Sequence, residues 1–254
     1  MSELFSRNWA FIDPVSQGKL GRSSLFVAGT GLGSVIALLA ARTGFKKFIL
    51  ADGDIVEESN LNRQAFFREH LGKNKAFCTA RLIYSINPDC EIEIVDTFLS
   101  GQQFRSYTER SDITVNTIDW ENHAMVDCSI AARQSRRPVI FPMNIGWGSV
   151  IYLIPPAYPD DAPFADCFFK KSLSPLEIKR KLILDAVARQ FPEYLQKLLP
   201  SFNAGSEQWN IDPQLGAASF LTASLSVRMA ASICLGEAVP WLPDFVHFDP
   251  AHLV

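Results

Sequence analysis

Residues 24–52 constrain this chain more than any other stretch. SLFVAG (24–29) is a short apolar run ending in glycine, the pattern of a strand buried on both faces of a parallel sheet. TGLGS follows, then an apolar helical run, VIALLAARTG, that stops at Gly44. FKKFILAD (45–52) is a second strand with an acid at its carboxyl end. A glycine turn between a strand and a helix lets backbone approach phosphate, and the helix N-terminus adds open N–H groups and partial positive charge. Gly29, Gly31 and Gly33 are therefore candidate nucleotide contacts. Asp52, 19 residues beyond Gly33, is placed to bond ribose hydroxyls. These features specify a nucleotide fold without choosing the nucleotide; NAD and FAD fit them as well as ATP.

The alternation continues downstream. A helix over 75–87 is closed by Pro88, EIEIVD (91–96) and DITVNT (112–117) read as strands, and ENHAMVDCSIAARQ leads as a helix into the strand RPVIFPM. The expected fold is α/β: a Rossmann-like, mainly parallel sheet flanked by helices. Beyond Met143 the pattern changes. NIGWGSVIYLIPP reads as a strand, antiparallel because no crossover helix precedes it. The stretch 152–174, rich in proline and aspartate, reads as a long mobile loop. A charged helix, PLEIKRKLILDAVARQF, and a small-residue helix within NIDPQLGAASFLTASLSVRMAASICLG, capped by Gly236, precede a last strand, VHFD. No linker interrupts the chain. One domain is expected: an N-terminal arm (1–22), a nucleotide-binding half (23–145) and a substrate-facing half (146–254).

Composition excludes several classes. Net charge is −3 with no long run of either sign, which argues against DNA or RNA as a main partner. The start, MSELFSRNWAFIDP, lacks the pattern of a signal peptide, and the longest apolar helical run noted, Val35 to Ala41, is too short to span a bilayer. A cytoplasmic protein is expected. Cys78, Cys90, Cys128, Cys167 and Cys234 form no C-x-x-C pair, so neither a disulfide framework nor zinc is expected.

The choice of nucleotide rests on the residues downstream of Asp52. They form D-x-D-x-V-x-x-S-N-L-N-R-Q, comprising Asp54, Val56, Ser59, Asn60, Leu61, Asn62, Arg63 and Gln64. Then Gly72-Lys73-Asn74-Lys75 opens a helix, and Asp119 ends the fourth strand region in NTIDW. FSRN (5–8) stands near the start. This combination resembles the ubiquitin-activating-enzyme-like superfamily of ThiF, MoeB and HesA adenylyltransferases, from about Phe5 to Asp249. The resemblance implies that Arg63 and Lys75 bind phosphates, that Asp119 holds Mg²⁺, and that Asp54, Asn60 and Gln64 help to hold ATP. It also implies a homodimer in which Arg7 reaches the ATP of the partner subunit.

Elementary chemistry agrees. A carboxylate attacking the α-phosphate is already ionised at neutral pH and needs no general base. It needs in-line positioning and cations on the phosphates, whereas hydride transfer needs no such set. Adenylation of a carboxylate is therefore the expected activity, on a ubiquitin-like or sulfur-carrier protein or a peptide. The alternatives are a non-catalytic nucleotide-binding scaffold and an NAD-dependent oxidoreductase. Each residue also has a plainer reading: Asp119 as a helix N-cap, Lys73 as solvent-facing, Asn60 and Gln64 as structural.

Two departures from the superfamily stand out. Its loop, G-x-G-G-x-G, falls here on Ala28-Gly29-Thr30-Gly31-Leu32-Gly33, and threonine is stiff and resists positive φ. Cys167 is the single candidate for an acyl-accepting thiol. Lys170 and Lys171 would lower its pKa; Asp160, Asp161, Asp166 and the pair Phe168–Phe169 point instead to a buried structural thiol.

Overall fold

A computed structural model describes residues 3–190, 192–197 and 213–253. It contains a seven-stranded sheet in the order β3-β2-β1-β4-β5-β6-β7. The strands are β1 (Ser24–Ala28), β2 (Lys47–Ala51), β3 (Glu91–Val95), β4 (Ile113–Asn116), β5 (Val139–Ile145), β6 (Gly148–Ile154) and β7 (Phe245–Phe248). β1 to β5 run parallel, with β1 between β2 and β4. β6 returns antiparallel from β5 through a tight connection, and β7 pairs antiparallel with β6.

Period-two alternation explains the apolar runs. In β1, Leu25 and Val27 enter one core while Phe26 and Ala28 enter another on the opposite face. β2 divides likewise, Phe48 and Leu50 against Ile49 and Ala51. A strand covered on both sides has no polar position to spare. One face is covered by α1 (Pro14–Arg22), α2 (Leu32–Thr43), α3 (Lys75–Ile86) and α8 (Gly216–Leu235); α4 (Gln103–Thr108), α5 (Ala124–Gln134), α6 (Ala165–Phe169) and α7 (Pro175–Gln190) pack on the other side.

Two expectations need correction, and one gains detail. The stretch 152–174 is not a continuous loop: Tyr152–Ile154 complete β6, and α6 buries Phe164, Cys167 and Phe168 in a core with Phe141 and Tyr152. Aromatic spacing outweighed the proline and aspartate content. The arm 1–22 contains a helix, α1, whose N-cap Asp13 accepts hydrogen bonds from the backbone N–H groups of Val15 and Ser16, with Pro14 in the first turn. Finally, α8 is long and apolar enough by length and composition to cross a membrane, unlike the Val35–Ala41 run. It packs on α2 and across β5 and β6, with half of its apolar window buried. Phe191 and Asn210–Asp212, expected from sequence in the flanking helical segments, lie outside the described residues.

Candidate active site

Because β1 lies between β2 and β4, the connections leaving β1 and β4 diverge to opposite faces. Ligands of open α/β sheets bind in the crevice at such a switch point. Here a cavity of about 740 Å³ opens at the carboxyl ends of the parallel strands, within the range of small-ligand sites. Gly29, Asp52, Asp54, Arg63, Gln64, Lys75 and Asp119 all line it.

The glycine loop is held tightly. Gly29 takes φ +86°, and a Cβ there would lie 2.7 Å from the carbonyl oxygen of Thr117, so no L side chain fits. Thr117 Oγ1 donates to the Gly29 carbonyl (2.7 Å). A Cβ at Gly33 would meet Val27 Cγ1 at 2.6 Å, which lets α2 sit close against β1. The stiffness of Thr30 proves harmless, because the left-handed residue is Gly29 and not Thr30. Thr30 is fully buried, and its N–H and hydroxyl both donate to Asp52 Oδ2 (2.6 and 3.0 Å). Gly31, the N-cap of α2, supplies no side-chain cap, and Gly31 and Leu32 line the cavity. The helix N-terminus is thus positioned for an anion.

The segment after β2 carries the cations. Asn74 N-caps α3 by accepting from the Phe77 N–H (2.9 Å), and its amide donates to the carbonyl oxygens of Asp52 (2.8 Å) and Asp54 (3.2 Å). That clamp brings the next residue, Lys75, inward: it is buried, with Nζ 3.0 Å from Asp54 Oδ2. Lys73 is exposed. Arg63 donates from Nε to Gln214 Oε1 (2.9 Å) and from Nη1 to the Ser59 carbonyl (2.7 Å) and Asn62 Oδ1 (2.9 Å). These bonds explain why SNLNR and PQLG occur in one chain: each positions the other. Burial lowers the Arg63 pKa, opposed by the charge of Asp119.

Asp119 sits in the connection from β4 to α5. It is not the helix cap, since α5 begins at Ala124 with His123 as N-cap, and Asn122 Oδ1 accepts from the Ala124 N–H (2.8 Å). Asp119 is exposed to the cavity yet surrounded by protein. Burial raises its pKa, Lys75 opposes, and the charges of Asp52, Asp54 and Glu121 push further upward. A cation bound among these carboxylates would relieve that repulsion. No group of three His, Cys, Asp or Glu able to hold a metal occurs among the described residues. Mg²⁺ fits this donor set nonetheless, because it is ordinarily held by one or two carboxylates together with substrate phosphates.

Gln64 supplies a further sign of a ligand. Its Oε1 is buried without a hydrogen-bond partner, and its amide lies against Gly31 on the cavity wall. Such an acceptor is costly unless something donates to it.

Four expected residues lie elsewhere: Gly33, Asn60, Arg7 and Cys167, of which Gly33 is buried where α2 meets β1. Asn60 is buried outside the lining, its Oδ1 accepting from the Glu57 N–H (3.0 Å) in a short 3-10 turn. Its local role is structural. Arg7 is exposed on the N-terminal 3-10 helix and does not line the cavity of its own chain. Cys167 is fully buried, and burial with nearby Asp166 pushes its thiol up to about 12. Lys171 pairs with Asp127 (2.6 Å). The structure gives Cys167 a packing role, and burial disfavours a thiolate there near neutral pH.

Glu121, Gln214 and Lys179 also line the cavity without having been expected there from sequence. Lys179, on α7, lines the cavity, and burial drives its pKa down to about 8 against the opposing attraction of Asp119. The signal was present in SPLE: Ser174 and Glu177 form a capping box with Pro175 between them, which fixes where the turns of α7 fall.

A model of the ThiF family matches residues 5–252. The chain belongs to the ThiF family. Relatives include the sulfur carrier protein ThiS adenylyltransferase of Escherichia coli K12, 27% identical over 144 residues, covering 56% of this chain and 57% of that one. The SAMP-activating enzyme E1 of Haloferax volcanii is 31% identical over 110 residues, covering 42% of this chain and 41% of that one. The chain therefore spans about half the length of these curated relatives. Among solved structures, E. coli MccB with ATP superposes with a TM-score of 0.67 at 18% identity, covering 98% of this chain and 72% of that one. This ThiF-family chain thus shares the MccB fold.

Proposed function

We propose that this ThiF-family protein catalyses the Mg-ATP-dependent adenylation of a carboxylate. The observation that carries the reading is the convergence of Arg63, Lys75 and Asp119 on one cavity in front of the glycine loop and the start of α2. A scaffold has no electrostatic need for all three, and a hydride-transfer site has no use for two cations beside a metal-binding acid. The name of the E. coli relative supports a carboxylate substrate on a carrier protein. For this chain we take the substrate to be the C-terminus of a ubiquitin-like or sulfur-carrier protein or of a peptide.

In this reading Asp52 receives the ribose, and Gln64 Oε1 accepts from the nucleotide. The loop N–H groups with Arg63 and Lys75 hold the phosphates. Asp119 would hold Mg²⁺, with Asp54 at hand through Lys75; the metal supplies charge neutralisation at the phosphates. A carboxylate oxygen forms a bond to the α-phosphorus as the bond to the β-phosphate bridging oxygen breaks. Pyrophosphate leaves with the electron pair, and no proton is transferred. The cations act where charge develops, on the departing pyrophosphate. With Cys167 buried, the acyl-adenylate passes to a separate acceptor. A homodimer would bring the partner subunit's Arg7 to the phosphates and account for its distance from its own cavity.

The test is ATP–pyrophosphate exchange with Mg²⁺ against carrier proteins and peptides with free C-termini. Asp119→Ala and Arg63→Ala should each lower carboxylate-dependent exchange by about 10²- to 10³-fold. Exchange unaffected by Asp119→Ala would refute the assignment, and NAD binding in place of ATP would refute the function.

A further inference from the structure

Asp52 follows the last residue of β2 at the wall of the cavity, and both its backbone and its side chain are held. Its N–H donates to the Val95 carbonyl (3.0 Å), and its own carbonyl accepts from the Asn74 amide (2.8 Å). The carboxylate takes three further bonds. Oδ2 accepts from the Thr30 N–H (2.6 Å) and from Thr30 Oγ1 (3.0 Å), and Oδ1 accepts from the Asp54 N–H (2.9 Å). An aspartate carboxylate offers about four lone-pair positions, two on each oxygen. Thr30 therefore fills Oδ2. Among the described residues, one acceptor position stays open, on Oδ1.

The loop places Thr30 for this contact. The left-handed turn at Gly29 (φ +86°) and the bond from the Gly29 N–H to the Ala51 carbonyl (2.9 Å) draw the loop against the end of β2. Thr30 is fully buried and does not line the cavity, so it reaches a ligand only through Asp52. Glycine at this position would offer Asp52 the backbone N–H alone and leave a second acceptor position free on Oδ2. The hydroxyl thus separates an acid able to accept from both hydroxyls of a ribose from one able to accept from a single hydroxyl. A carboxylate held by three bonds is also oriented before the ligand arrives, which lowers the cost of ordering it on binding.

We propose that Thr30 is a positioning residue of the nucleotide site. By occupying Oδ2 it leaves Asp52 Oδ1 to accept one hydroxyl of the ribose, and so makes the site tell the 2′-hydroxyl from the 3′-hydroxyl. The proposal rests on the reading of this cavity as an ATP site.

Calorimetric titration of the full chain with ATP, 2′-deoxy-ATP and 3′-deoxy-ATP, each with Mg²⁺, tests it in wild type, Thr30→Ser, Thr30→Val and Thr30→Ala. The two deoxynucleotides are isomers with the same base and phosphates, so a general loss of fold or affinity moves both alike. Wild type should bind one of them about tenfold or more weakly than the other, as for loss of a hydrogen bond to a charged acceptor. Thr30→Ser should keep that ratio, while Thr30→Val and Thr30→Ala should bring it within about threefold. Valine keeps the shape of threonine and alanine leaves space, so failure of one variant to fold leaves the other to be read. A ratio near one in wild type would overturn the proposal while leaving the adenylation reading intact. So would a ratio unchanged in Thr30→Val and Thr30→Ala, or one lost in Thr30→Ser as well. A wild type that binds none of the three nucleotides would sink the proposal and that reading together.

Discussion

The two walls of the cavity are built by different means. On the wall formed by residues 28–75, nearly every functional side chain is fixed by hydrogen bonds to backbone close in sequence or on the adjacent strand. Thr30 bonds Asp52, Asp52 bonds the Asp54 N–H, and Asn74 clamps both carbonyls and delivers Lys75. On the opposite wall the bonds join residues far apart in sequence: the Trp147 N–H donates to the Tyr194 hydroxyl (2.9 Å), which donates to Asp249 Oδ2 (2.7 Å). Lys179 and Ile183 face the cavity because Ile178 and Leu182 are buried on a neighbouring stripe of α7. A site half clamped by backbone and half aimed by core packing should respond differently to substitution on its two sides.

The sharpest break is Gly29→Ala on the clamped wall. A Cβ 2.7 Å from a backbone oxygen at φ +86° has no route of escape. It should cost about 1–3 kcal/mol in thermal or denaturant unfolding and abolish ATP binding. Preserved ATP affinity would show that the loop can move.

Thr30→Gly restores the superfamily's glycine but removes the hydroxyl donor to Asp52. Stability should fall by about 0.5–1.5 kcal/mol and nucleotide affinity should not improve. A gain in affinity would mean that threonine is a defect after all.

On the packed wall, Lys179→Met should raise the melting temperature of the nucleotide-free protein at pH 7. The folded-state pKa of about 8 lies below the ordinary 10.5, so burying the protonated amine opposes folding at every pH below about 8. The penalty fades as pH rises from about 8 to 10.5, where the folded chain has lost the proton and the unfolded chain still holds it. The gain from Lys179→Met should shrink over that window. A constant gain would point to packing alone.

The smallest effect belongs to Cys167. With its thiol near 12, roughly one molecule in ten thousand carries thiolate at pH 8. Cys167→Ser should change exchange less than about twofold, and alkylation of native protein should be slow. Loss of exchange would reopen the thioester reading.

The same contrast explains what was readable in advance. The strands, the glycine loop and the order of elements were legible because burial on both faces leaves an unmistakable run of apolar residues. Arg63, Gln64, Lys75 and Asp119 were legible because short connections carry them from strand ends to the crevice. Asn60 lies outside the lining and holds a turn, and a motif position does not say whether an amide faces a ligand or caps a turn. α1 and α4 were overlooked: they are only 9 and 6 residues long, too short to show a periodicity.

The sequence by itself determined an α/β sheet with a glycine loop after its first strand and two cations downstream of the second, because those depend on local spacing and backbone conformation. Only the tertiary structure decided that Gly29 and not Thr30 makes the strained turn, that Cys167 is core, and that Lys179 lines the cavity. Burial and the rotation of a helix are set by contacts between residues far apart in the chain, and no local pattern encodes them.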